Sequence, residues 1–167
     1  MIMTGHLLVG GAIGLAVGTL LPSPVAHLSL FAVPLALALG VLSHHLLDFI
    51  PHTDAATFWP DPRRVPWFVV VIVTVEVMIG FLLTGTLFVA QHTTWAFAAG
   101  AIGGILPDLL DEMPLWQERF RSSALGGVFH RWHTRLHCAD MAQSWRLGLL
   151  IDALVVGGGL WFLLTAG

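Results

Sequence analysis

The sequence predicts an all-α polytopic membrane protein, and three observations carry that prediction. Of 167 residues, 56% are apolar and only 10% charged, whereas soluble domains carry about 25% charge. The mean hydropathy is +0.84. The apolar residues gather in runs close to the ~20 that one helical crossing consumes, and lipid leaves no partner for unpaired backbone groups, so each run is read as a helix. Residues 1–167 are expected to form a single membrane domain of about five transmembrane helices.

The first span covers roughly Leu7 to Leu21 and is closed by Pro22, Ser23 and Pro24. MIMTGHLL lacks the basic start of a cleaved signal peptide, so this span, with His6, is expected to be retained. The second runs from about Leu28 to Ile50, and a proline-rich loop follows from Pro51 to Pro66. The third occupies Trp67 to Ala90 and the fourth, after QHTT, Trp95 to Met113. Residues 116–144 are the only long polar stretch, and the fifth span starts near Trp145. Trp67, Trp95, Trp116 and Trp145 stand where interfacial aromatic anchors belong.

Five crossings place the N-terminus, the Pro51 to Pro66 loop and the 116–144 loop on one side. All seven basic residues, Arg63, Arg64, Arg119, Arg121, Arg131, Arg135 and Arg146, fall there. The positive-inside rule makes that side cytoplasmic. An inner (plasma) membrane location with a cytoplasmic N-terminus is the resulting expectation. With ten acids against seven arginines and no lysine, no nucleic-acid partner is expected, because phosphates demand a basic surface. The single cysteine, Cys138, excludes an internal disulfide.

Leu46-Leu47-Asp48-Phe49-Ile50-Pro51 recurs as Leu109-Leu110-Asp111-Glu112-Met113-Pro114, so LLDxxP closes both the second and the fourth span. Two readings stand: a duplicated helical hairpin (1–54 and 67–115) bringing both aspartates to one depth, or chance, since proline commonly follows a helix end.

The nine histidines are the anomaly in so apolar a chain. His6, His44, His45, Asp48, His52, Asp54, Asp108, Asp111, His130, His133 and His137 all map near the cytoplasmic face, from four separate segments; only His27 and His92 map opposite. His44, Asp48 and His52 are spaced i, i+4, i+8, one stripe if the helix persists, although Pro51 should end it and leave His52 on the exit turn. Which of His44 and His45 faces the site is open. Asp108 and Asp111 share a face at i, i+3, with Pro107 as a kink. Two acids there would repel unless a cation bridged them; the alternative is that both reach into the headgroups. His130, His133 and His137 are spaced i, i+3, i+7; the alternative is a basic amphipathic helix on anionic lipid. Glu76 is placed near mid-depth as a hydrogen-bonded helix contact, and Asp152 about 10 Å into the fifth span at 1.5 Å rise per residue.

Imidazole and carboxylate donors together suit a divalent metal, zinc first, with manganese or iron as alternatives, as one or two ions. Scarce cysteine favours an open catalytic site over a closed structural one. Metal ligands are drawn from His6, His44, Asp48, His52, Asp108, Asp111, His130 and His137. Asp111 or His133 would serve as general base and Arg131 as a phosphate clamp.

Gly5-His6 at the start of an apolar run, Ser43-His44 with Asp48, Pro107-Asp108 with Asp111, and His130-Arg131 with Thr134 resemble the LexA-regulated bacterial inner-membrane metal-dependent hydrolases. The His44, Asp48, His52 and Gly-Ile-Leu-Pro-Asp patterns are also similar to zinc-dependent phospholipase C. The resemblance implies a metal-dependent hydrolase with His6, His44, Asp48, Asp108, Asp111 and His130 among its ligands. The chain departs from that family in carrying Arg135 where a histidine follows Thr134, and in the order of the His-Asp and Pro-Asp motifs. The function expected is hydrolysis, at the cytoplasmic interface, of a phosphoester of a lipid or lipid-linked small molecule. The competing reading is a non-enzymatic carrier or sensor of divalent cations or protons.

Overall fold

The structure is a computed structural model that describes residues 3–21, 30–53, 66–90, 94–113, 115–136 and 145–166. Among the described residues it is all-helical: α1 (Met3–Leu20), α2 (Ala32–Asp48), α3 (Trp67–Ala90), α4 (Trp95–Asp111), α5 (Gln117–Ser122), α6 (Ala124–Leu136) and α7 (Trp145–Ala166). Three helices are long and apolar enough to cross a membrane, α1 with 18 residues, α3 with 24 and α7 with 22. The five-span expectation is thus met by three. The other two candidates, α2 and α4, have 17 residues each, the short limit of what spans hydrocarbon. Each stops at the aspartate of LLDxxP, whose proline cannot continue a helix.

The apolar window of α1 is 56% buried, against 17% for α3 and 17% for α7. So α1 is an interior helix, while α3 and α7 turn Ile72, Met78, Leu82, Leu154 and Trp161 outward. That is the pattern of lipid-facing surface rather than of a water-facing one.

Helices α1, α2 and α4 form the centre, and glycine sets how closely they approach. Gly10 and Gly14 of α1 face Gly100 and Ala96 of α4 so closely that a Cβ on either would strike a backbone carbonyl oxygen. On the other side of α4, a Cβ on Gly40 would strike the Gly100 carbonyl, and one on Gly103 that of Leu37. Small residues four apart allow this backbone-to-backbone packing where lipid offers no hydrophobic drive between helices. The apolar clusters farther along, Leu8, Leu15, Leu87, Phe97 and Leu163, and Val17, Ala32, Ala36, Ala96 and Ala99, contain no charge.

Glu76 is the hydrogen-bonded helix contact expected of it. The Thr4 N–H donates to its Oε1 at 2.7 Å, so the carboxylate sits level with the first turn of α1, where unpaired N–H groups and the helix dipole favour an anion.

Candidate metal centre

The start of α1 and the ends of α2 and α4 meet at one end of the bundle, and α6 packs across it. This brings together His6, His44, Asp48, Asp108, Asp111, His130 and His133 from the four segments expected to converge. His45 joins them.

His44 is the hub. The Gly104 carbonyl, in the turn before Pro107, accepts the His44 Nδ1–H at 2.8 Å. That bond fixes the tautomer and turns Nε2 toward Asp48 Oδ2 at 3.0 Å, Asp108 Oδ1 at 3.4 Å and His133 Nε2 at 3.2 Å. His133 Nε2 in turn lies 3.5 Å from Asp48 Oδ2 and 3.6 Å from Asp108 Oδ1. His6 Nε2 lies 3.4 Å from Asp48 Oδ1. The donors form two groups that share His44: His44, His45, Asp48 and His133, and His6, His44 and Asp108, each with its ligand atoms within 4.8 Å of one another.

Hydrogen bonding alone leaves this cluster unsatisfied. His6 and Asp48 are essentially fully buried, yet among the described residues neither ring nitrogen of His6 and neither oxygen of Asp48 has well-formed hydrogen-bond geometry, the imidazole nitrogens of His6, His44 and His133 standing 3.0–3.5 Å from the Asp48 oxygens. Burying polar atoms in that condition costs several kcal/mol. A cation among the donors relieves it, so the residues fit a metal ion. Both ring nitrogens of His45 are equally unpartnered, and its ring packs edge-on against Trp132 with centroids 4.5 Å apart. The open choice between His44 and His45 therefore resolves toward His44 as the converging ring, with His45 on the α6 side of the same cluster.

Asp111 acts one layer out. Its Oδ2 accepts the His133 Nδ1–H at 3.1 Å, its Oδ1 accepts Arg121 Nε–H at 2.9 Å, and His130 Nδ1 lies 2.9 Å from both oxygens. A carboxylate that orients the far nitrogen of a coordinating histidine is the usual outer partner of a metal site. Asp48 and Asp111 thus sit on opposite nitrogens of one imidazole, and both are the last residue of a 17-residue helix.

Burial opposes a charge on His133, but the Asp48 and Asp111 carboxylates outweigh it and raise the ring to about 9. At neutral pH the ring holds a proton that an incoming ion must displace. Metal affinity is therefore expected to rise at least about tenfold per pH unit up to about 9 and then level off. Chelator-competition titrations between pH 6 and 9 measure this, and equal affinity at both ends would exclude His133 as a ligand. Asp111→Asn is expected to cost about 10- to 100-fold in metal affinity while leaving the bundle folded, read by the same titration.

The remaining expected ligands are placed elsewhere. His52 is buried, but its Nδ1–H donates to the Ile50 carbonyl at 2.7 Å, on the exit turn that Pro51 imposes, and it belongs to neither donor group. His130 turns to Asp111 instead of the converging donors. Arg131 is exposed on α6, and it is Arg121 that reaches the carboxylates. Asp152 binds Thr53, accepting from its N–H at 3.2 Å and from its hydroxyl, and so ties α7 to the segment leaving α2. His137, His27, His92 and Asp54 lie outside the described residues. Arg121 and Thr53 are partners that sequence reasoning does not single out; the signal for both is a buried acid in need of a donor.

No family model, curated protein or solved structure matches the chain.

Proposed function

We propose that the chain is a membrane-embedded metal-dependent hydrolase acting on a phosphoester of a lipid or lipid-linked substrate at the cytoplasmic face. The observation that carries this is the spacing of the donor atoms. Five contacts among His44 Nε2, His133 Nε2, Asp48 Oδ2 and Asp108 Oδ1 span 3.0–3.6 Å, and within each donor group the ligand atoms lie close enough to share one ion. A bound divalent ion supplies Lewis acidity, lowering the pKa of water toward ~7 and polarising the bond to be cut.

The chain's own residues do the rest. Asp111 holds the proton on His133 Nδ1 and keeps Nε2 aimed inward. His130, about one-third exposed and anchored to Asp111 through Nδ1, has its other ring nitrogen left to take the proton of the attacking water as general base. Asp108, the least buried carboxylate of the cluster at 15% exposure, marks the side from which substrate approaches. Arg121 balances the buried Asp111 charge, while Arg131 and Arg135, both exposed, are free to clamp a phosphate.

The polar donors gather at one end of α1, α2 and α4, which supports an enzyme over a carrier needing polar groups through the whole thickness. The resemblance to inner-membrane metal-dependent hydrolases points the same way. In this reading α2 and α4 are short spans, giving five crossings of the inner membrane with the N-terminus cytoplasmic. A reporter fused after Gly167 should then behave as periplasmic. Elemental analysis of detergent-purified protein, paired with turnover of a phosphodiester and phospholipid panel, tests the whole. Less than about 0.2 equivalents of any transition metal after attempted reloading would sink it.

A further inference from the structure

Helices α5 and α6 carry a feature the hydrolytic chemistry does not use. Phe120, Leu125, Val128, Phe129 and Trp132 line an open groove of about 430 Å³, every wall apolar or aromatic. That volume is in the range of small-molecule sites. Leu125 is 85% exposed and Val128 57%, a cost in water that a hydrocarbon occupant removes.

The groove is continuous with the metal cluster. Its Trp132 wall packs on His45, and its Phe129 wall lies against His133 with ring centroids 5.7 Å apart. With Arg121 paired to Asp111, the remaining charges of the same two helices are Arg119, Arg131 and Arg135 against Glu118. An apolar trough, bordered by arginines and opening beside a cation site, matches a molecule with a hydrocarbon tail and an anionic head.

Resting on the hydrolase reading, we propose that this groove seats the hydrocarbon chain of an anionic lipid substrate and so presents its phosphoester to the His/Asp cluster. Chain recognition then belongs to α6, and long-chain substrates are favoured over soluble ones through KM.

The test uses full-length metal-loaded protein in phosphatidylcholine nanodiscs, with phosphatidylglycerol carrying a diazirine in one acyl chain as the probe. Light-induced adducts are expected to map to residues 120–132, to be competed by unlabelled phosphatidylglycerol, and to fall about tenfold in Leu125→Glu, the loss of one buried leucine contact. The same variant should raise KM for a long-chain phosphodiester by a similar factor, with kcat on bis(4-nitrophenyl) phosphate and metal content unchanged. Trp132→Ala, which removes a wall without adding charge, guards against a misfolded Leu125→Glu. Adducts spread evenly over the exposed faces of α3 and α7, adducts joining α6 to a second copy, or an unchanged KM in both variants would overturn the proposal. Competed adducts on α6 without turnover of any phosphodiester would sink the hydrolase reading and leave the groove a lipid site. Turnover without α6 adducts would do the reverse.

Discussion

Replacing His44 by alanine is expected to empty the centre and abolish hydrolysis. The ring is the one member common to both donor groups, and its Nδ1–H also holds the Gly104 carbonyl, so the substitution removes a ligand from each group and the bond that aims it. The loss in metal affinity should exceed the about 100-fold at the upper end for an outer partner. Metal per protein and phosphodiester turnover measure it. His92→Ala, the same change at a histidine that the sequence maps to the opposite face, should alter neither, and equal tolerance of the two would leave no reason to place an ion at His44.

The second large effect is expected from Gly100→Val. A Cβ at that position meets the Gly10 carbonyl and lies 2.9 Å from the Gly14 Cα, all backbone, which cannot swing aside. Overpacking a tight interface costs about 1–3 kcal/mol and at times more, and here α1 must move as a body, carrying His6 away from Asp48. Thermal unfolding in detergent should show a markedly less stable protein, with reduced metal content at temperatures where it remains folded. Gly158→Ala supplies the opposite sign. Nothing lies within 4 Å of a Cβ there, and alanine in an open helical position should stabilise by roughly 0.5–1 kcal/mol. Similar behaviour of the two variants would refute glycine-limited packing.

The convergence of His6, His44, Asp48, Asp108, Asp111, His130 and His133 is legible in the order of the amino acids alone. Parity of crossings places the first turn of one helix beside the last turn of the next, and that suffices to collect residues at one end. Helix boundaries follow from proline, as at Pro51. Roles within the cluster are not legible, because they depend on a few ångströms of helix approach. Only when Gly40 and Gly103 let α2 and α4 touch does the Gly104 carbonyl reach His44 and choose that ring over His45. His52 carries the right spacing, yet its ring is bound by the turn after α2. Arg121 is visible only as one of seven arginines, and nothing in its spacing from Asp111 marks it as the partner.

The way the donors are distributed along the chain also sets when the centre can come into being. His6, His44, Asp48 and Asp108 all leave the ribosome before α6 does, whereas His133 is contributed only after the chain has turned through α5 and folded back. A nascent chain halted at Asp111 could already close its glycine seam and hold the His6, His44 and Asp108 group, yet it would lack His133, the ring that Asp111 orients. The two donor groups therefore become complete at different stages of synthesis, the one with His6 first and the one with His133 only after α6 has folded back.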